Sequence, residues 1–181
     1  MANSLTIIAV ADTKISQTII ALKKSIQGIN YREILLLTSK KINKIDNFKE
    51  LKIIKISPLK SSKEYNHFII YDLYKYINTS HILLVQWDGF VLNPRKWKDS
   101  FFIYDYIGAP FIPRANDFNY SRDQKYNFYS VGNGGFTIRS KSLLEAASKF
   151  DLKDNFKYTN FHEDGFFSVY HRAFLESKGY K

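Results

Sequence analysis

Apolar runs that alternate with helix-spaced ones fill the first half of the chain and leave few folds open to it. Leu5–Val10 is a run of strand length that stops at Ala11-Asp12-Thr13. Ile15, Ile19, Leu22 and Ile26 then recur at helical spacing, and Gly28 closes that helix. Ile34–Leu37 is a second strand, followed by Thr38-Ser39, and Ile53–Ile56 a short third, stopped by Ser57-Pro58. Tyr65, Ile69, Leu73 and Tyr76 mark another helix that delivers the chain to a strand at Ile82–Val85. Strands alternating with helices pair in parallel through right-handed crossovers, so this half predicts a Rossmann-like α/β layer.

The second half has a different texture. Lys96–Tyr106 is aromatic-rich, and Ile112–Ser130 lacks an apolar period and reads as a long loop; loops of that length inside a domain are functional or disordered. Then come VGNGGFTIRS, a glycine turn feeding a short strand, and KSLLEAASKF, a helix with Leu143, Ala147 and Phe150 on one face. A last helix is expected from Phe166 to Lys178, with Gly179 as its stop. At 181 residues, without repeats or a composition break, the chain reads as one domain.

Composition narrows the surroundings. The absence of cysteine excludes disulfides and thiolate metal sites, and the N-terminus lacks the basic region of a signal peptide. The cytoplasm is the expected compartment. A net charge of +10 suits anionic partners such as nucleotide phosphates or a lipid surface; dispersed lysines in a chain rich in Lys, Ile and Asn also fit a compositional origin.

The segment HILLVQWDGFVLNP (His81–Pro94) carries the first chemical signal. In open parallel sheets ligands sit beyond the carboxyl ends of the strands, where Ala11-Asp12-Thr13, Thr38-Ser39 and Gln86-Trp87-Asp88 fall. Asp88 there can hold a hard cation against phosphates, or Asp88-Gly89 can be a plain turn. The apolar Phe90-Val91-Leu92, read as returning to the core, favours the functional reading. His162-Glu163-Asp164 is the second acidic site. Its carboxylates either cap the helix that follows or, flanked by Phe161 and Phe166-Phe167, provide a general base with a raised pKa. Gly132-Asn133-Gly134-Gly135 matches no phosphate loop and predicts unusual dihedrals or close approach of a ligand. Tyr104 and Tyr106 offer rings for sugar stacking or for the core. His67, His81 and His171 stand in no metal spacing and read as structural.

Taken together, HILLVQWDGFVLNP, the Trp97–Phe111 segment ending YDYIGAPF, VGNGGFTIRS with the following Leu-Leu, and HEDGFF resemble a largely uncharacterised family of bacterial glycosyltransferase-like proteins with a GT-A-type fold. The resemblance covers nearly the whole chain. It implies a mainly parallel sheet flanked by helices, with residues 1–95 binding a nucleotide-sugar donor and 96–181 forming a smaller, mixed acceptor and catalytic region. Donor contacts would come from Ala11, Asp12, Thr13, Thr38, Gln86, Trp87, Asp88, Gly134 and Gly135. Acceptor contacts would come from Tyr104, Tyr106, Asn133 and His162, and a glycan or glycolipid acceptor allows peripheral association with the inner face of the membrane. Where GT-A enzymes carry Asp-x-Asp this chain has Gln86-Trp87-Asp88, so Asp88 alone is the expected ligand of Mn²⁺ or Mg²⁺. Asp164, or Glu163, would be the base of an inverting transfer. Arg114 or Arg122 of the long loop would help stabilise the leaving diphosphate, and the loop would close over the donor. Relatives continue past the equivalent of Lys181, which implies either a domain of a longer protein or a missing last strand.

Two rival readings stay open. One is a non-catalytic nucleotide- or glycan-binding module, favoured by Gln86. The other is a nucleic-acid binder using basic and aromatic side chains; without an RNP-like motif or basic stripe, no nucleic-acid partner is expected.

Overall fold

The computed structural model describes residues 4–42, 45, 47–110, 131–153 and 162–181. The first apolar runs become β1 (Leu5–Val10), β2 (Glu33–Thr38), β3 (Leu51–Lys55) and β4 (His81–Val85), with α1 (Ile15–Ser25) after β1 and α2 (Ser62–Tyr71) after β3. Strands β5 (Tyr106–Ile107), β6 (Ala109–Pro110), β7 (Val131–Gly132) and β8 (Phe136–Ser140) follow, and α3 (Lys141–Lys149) leaves β8 directly. The chain closes with α4 (Glu163–Gly165), a π-helical turn at Phe166–Tyr170, and α5 (Arg172–Ser177).

Six strands form one sheet in the order β3-β2-β1-β4-β8-β5. β3, β2, β1 and β4 pair in parallel, whereas β8 is antiparallel to both β4 and β5. The fold is therefore α/β with a mainly parallel mixed sheet flanked by helices, a Rossmann-like arrangement. β6 and β7 form a separate antiparallel pair.

The sheet is covered on both faces, which is why its central strands read as unbroken apolar runs. Leu5, Ile7, Ala9, Leu83 and Val85 face one core with Ala21 and Leu22 of α1. Ile8, Val10, Ile82 and Leu84 face the other with Phe68 and Ile69 of α2 and Leu144 of α3. A third cluster joins α3 to the C-terminal helices through Leu143, Ala147, Phe166, Phe167 and Leu175. Among the described residues no helix is long and apolar enough to cross a membrane.

Four local expectations need correction. α1 ends at Ser25, three residues before Gly28. α2 starts at the Ser61 cap and breaks at Asp72, so Leu73–Tyr76 is a separate 3₁₀ turn. Phe90-Val91-Leu92 does not return to the core as a strand: Phe90 and Val91 are only half-buried and Leu92 is 85% exposed. The last helix begins at Glu163, earlier than its apolar period indicates, and passes through a π turn closed by His171 N–H to Phe166 C=O at 3.1 Å. The expected loop over 112–130, with Arg114 and Arg122, and Phe111 and Phe161 lie outside the described residues.

Candidate functional site

The strand order reverses direction between β1 and β4: the chain runs outward through β2 and β3, then returns to the other side of β1. Such a switch point leaves a crevice at the strands' carboxyl ends. A cavity of about 450 Å³ lies there, walled by Ala11, Asp12, Thr13 and Thr18 after β1, by Leu59–Ser62 and Tyr65 at the start of α2, and by Gln86 and Trp87 after β4.

Asp12 builds one wall. Its carboxylate accepts hydrogen bonds from Thr38 Oγ1 (3.0 Å), Ser39 N–H (2.6 Å), Ser39 Oγ (2.8 Å) and Leu59 N–H (2.9 Å). Partial burial alone would raise its pKa, yet these donors outweigh it and hold the carboxyl below its usual range. Asp12 and Thr38 thus bond to each other and tie together the ends of β1, β2 and β3. With four donors already on its oxygens, Asp12 holds the loops that shape the cavity.

After β4 the chain makes a tight turn in which Gln86 and Gly89 exchange backbone hydrogen bonds at 3.1 and 3.2 Å. Asp88 sits exposed on that turn, and Trp87 is 43% exposed. Gln86 points the other way: its Nε2 donates to Tyr65 Oη at 2.9 Å. Burial raises the pKa of the Tyr65 hydroxyl, and Glu163 raises it further. The acid pair therefore lies behind the cavity lining.

Between lining and acids runs the glycine turn. A Cβ on Gly135 would stand 2.5 Å from Gln86 Oε1, and one on Gly134 only 1.6 Å from Glu163 Oε1. The glycines admit a close approach, but the groups that approach are the chain's own Gln86 and Glu163. Asn133, between them and the strand, is exposed at φ 61°.

Glu163 and Asp164 are 4% and 7% exposed. Asp164 Oδ2 accepts from Gly134 N–H at 3.3 Å and Oδ1 from Gly165 N–H at 2.8 Å. Glu163 meets Arg139, a fully buried guanidinium whose Nη2 lies 2.6 Å from Glu163 Oε2. That contact is ionic and is not an aligned hydrogen bond. Arg139 also donates from Nε to Thr137 Oγ1 (3.0 Å) and from Nη2 to Gly134 C=O (3.4 Å). Burial pushes the Glu163 carboxyl above its ordinary pKa, Arg139 pulls it back, and Asp164 adds to the rise.

The remaining expected residues separate. Tyr106 Oη is buried beside Arg139, whose Cζ lies 5.0 Å from the ring centroid. Tyr104 is 45% exposed, and its carbonyl faces His81 Nε2 at 3.2 Å. His162 precedes α4 and its carbonyl accepts from Phe166 N–H at 3.0 Å. Asn133 borders a second, mostly apolar cavity of about 450 Å³ with Trp97, Phe101 and Ile107. The first cavity brings together Ala11, Asp12, Thr13, Gln86 and Trp87, but neither Asp88 nor Asp164 is in its wall. Among the described residues no group of three His, Asp or Glu side chains is placed to share a metal ion.

Sequence reasoning missed Arg139, Tyr65, Lys14 and Lys60. Arg139 left a readable trace: a guanidinium inside the strand FTIRS needs an anion, and the acid pair Glu163-Asp164 offers one.

The chain belongs to the family described as "Protein of unknown function (DUF5672)", which matches residues 49–179. The matched span holds the Gln86 turn, the glycine turn, Arg139 and the acid pair. No curated protein matches the chain.

Proposed function

We propose that the protein is a GT-A-type glycosyltransferase that moves a sugar from a nucleotide-diphosphate donor to a hydroxyl acceptor with inversion. The observation that carries this reading is the cavity at the β1–β4 switch point. Its walls join two aromatic rings, Trp87 and Tyr65, with Lys60 and the hydroxyls of Ser61 and Ser62. A ring to stack on and cations for phosphates are what a nucleotide-sugar requires. The antiparallel β8, with its glycine turn, supports an acceptor side built onto a parallel donor side.

In this mechanism Asp164 removes the proton of the acceptor hydroxyl as its oxygen attacks the anomeric carbon. The bond from that carbon to the donor diphosphate breaks, and the diphosphate leaves with the electron pair. Positive charge builds on the sugar as in glycoside cleavage. Asp164 is the better base because Glu163 is committed to Arg139. Glu163 acts as counter-ion and buttress, fixing the turn that presents Gly134 N–H to Asp164. A divalent cation would neutralise charge on the leaving group, and Asp88, exposed on the turn after β4, would be the carboxylate that holds it.

A second reading, a nucleotide- or glycan-binding module without turnover, draws on the burial of both acids behind the cavity lining. One experiment separates the two: a thermal-shift panel of UDP-, GDP-, dTDP- and CMP-sugars with and without Mn²⁺, followed by donor-hydrolysis assays on any hit. A ligand at 100 times its Kd adds about 2.7 kcal/mol to stability. A shift with turnover that Asp164→Asn abolishes supports the transferase; a shift without turnover supports the module; no shift with any donor removes both.

A further inference from the structure

We propose that Lys14 is a diphosphate-binding residue, held in the free protein on the face of Trp87 and transferred to the donor when it enters. This rests on the nucleotide-sugar reading of the β1–β4 cavity and adds to it the side chain that takes the phosphate charge and the ring that is thereby exposed.

Three observations converge. Lys14 Nζ stands 3.2 Å from the centre of the Trp87 ring, a close cation–π contact between the loop after β1 and the turn after β4. Lys14 holds a left-handed backbone conformation, φ 50° and ψ 37°, that a lysine rarely adopts. Its carbonyl accepts from both the N–H (2.9 Å) and the Oγ1 (3.1 Å) of Thr18, itself a buried residue of the cavity wall. The backbone is thus anchored to one lining residue, Thr18, while the ammonium rests on another, Trp87, so Lys14 bridges two walls of the cavity without itself lining it.

The charges around that cavity select the ligand. Asp12 is saturated by its four donors and offers the cavity no free lone pair. Gln86, where an acid would sit, is neutral and faces Tyr65. Lys60 lines the cavity at the start of α2. Asp88, exposed on the turn beside Trp87, stands outside the lining. An entering diphosphate competes for the Lys14 ammonium better than an indole face does, because a full negative charge replaces a quadrupole. The released Trp87 face, already 43% exposed, is then free to stack on the base or sugar. Phosphate capture and ring exposure become one event.

The chain contains two tryptophans, Trp87 and Trp97, so Trp97→Phe isolates the Trp87 signal. The test is a fluorescence titration of that variant, in EDTA and again in Mg²⁺, with inorganic pyrophosphate, UDP, GDP, dTDP, CDP and the matching nucleosides. Pyrophosphate and at least one nucleoside diphosphate should change Trp87 emission. Lys14→Met should weaken both by about tenfold or more, while nucleoside binding stays within about twofold. Lys14→Arg should retain most of the affinity. Lys14 is exposed, so these variants are expected to melt with the parent. If Lys14→Met binds diphosphates as the parent does, the inference falls and the nucleotide reading stands. If the parent binds none of the probes, both fall.

Discussion

Arg139 Nη2 lies 2.6 Å from Glu163 Oε2, and both side chains are buried between the C-terminal helices and the antiparallel part of the sheet. Through Gly134 C=O the same guanidinium reaches the turn whose N–H binds Asp164. Breaking a buried pair leaves an uncompensated charge and costs about 3–5 kcal/mol. Arg139→Met should therefore lower the chemical-denaturation midpoint sharply. Without Arg139 the Glu163 carboxyl rises further above its ordinary value of about 4.3. A group with a raised folded-state pKa contributes stability below its unfolded pKa and loses it as pH climbs through the folded one. Arg139→Met should thus be less destabilised at pH 5 than at pH 8, and an equal loss at both would remove this account.

Gly134→Ala puts a methyl 1.6 Å from Glu163 Oε1, inside bonding distance, so Glu163 or the turn must move. Overpacking of this kind costs about 1–3 kcal/mol. Gly135→Ala meets the Gln86 side chain at a longer 2.5 Å and should cost less. Urea unfolding of the two variants reads the order directly; equal costs would mean that Glu163 does not press on the turn.

Asp12 predicts the acid limb of the stability curve. Its depressed folded-state pKa means stability that is present above the unfolded value, about 3.9, and lost as pH falls through the folded one. Asp12→Asn should flatten the loss of stability below about pH 4. It should also loosen the contact between the ends of β1, β2 and β3, seen as faster amide exchange at Ser39 and Leu59. Unchanged exchange at both would show that the carboxylate does not hold these loops.

Tyr65→Phe removes the acceptor for Gln86 Nε2 at 2.9 Å. The expected loss is about 1 kcal/mol, with weaker binding of any nucleotide that the thermal-shift panel identifies. Stability loss without a change in affinity would confine Tyr65 to packing.

Asp88 and Asp164 separate cleanly by assay. Asp88→Asn should raise the Mn²⁺ concentration needed for half-maximal donor turnover and leave the melting temperature within about 1 °C, because Asp88 is exposed. Asp164→Asn should abolish transfer while retaining donor binding. Full activity in either variant would remove that residue's role.

How much of this was legible can be argued from particular residues. The parallel strands were, because burial on both faces writes them as continuous apolar runs such as Ile34–Leu37. The motifs singled out in the sequence are also brought into contact: the glycine turn packs between Gln86 and the acid pair. What escaped was contact across sequence. Nothing in the sequence around Gly134 says that Glu163, 29 positions away, fills the space where its Cβ would be. Phe90–Leu92 misled because apolarity alone does not reveal that the Gln86–Gly89 turn sends the chain over the surface. The π turn at Phe166–Tyr170 was equally invisible, since its apolar residues fit ordinary helical spacing.

β4 and β8 are stitched together along their whole length, from His81 opposite Ser140 to Val85 opposite Phe136. The strand that leads to Trp87 and the strand that carries Arg139 are therefore one continuous plate and cannot open like two jaws about a hinge. Any opening and closing must come from segments mounted on that plate. A substitution that shears β8 by one register against β4 would shift Arg139 and the glycine turn relative to Trp87, so on the transferase reading donor affinity and turnover should change as a pair.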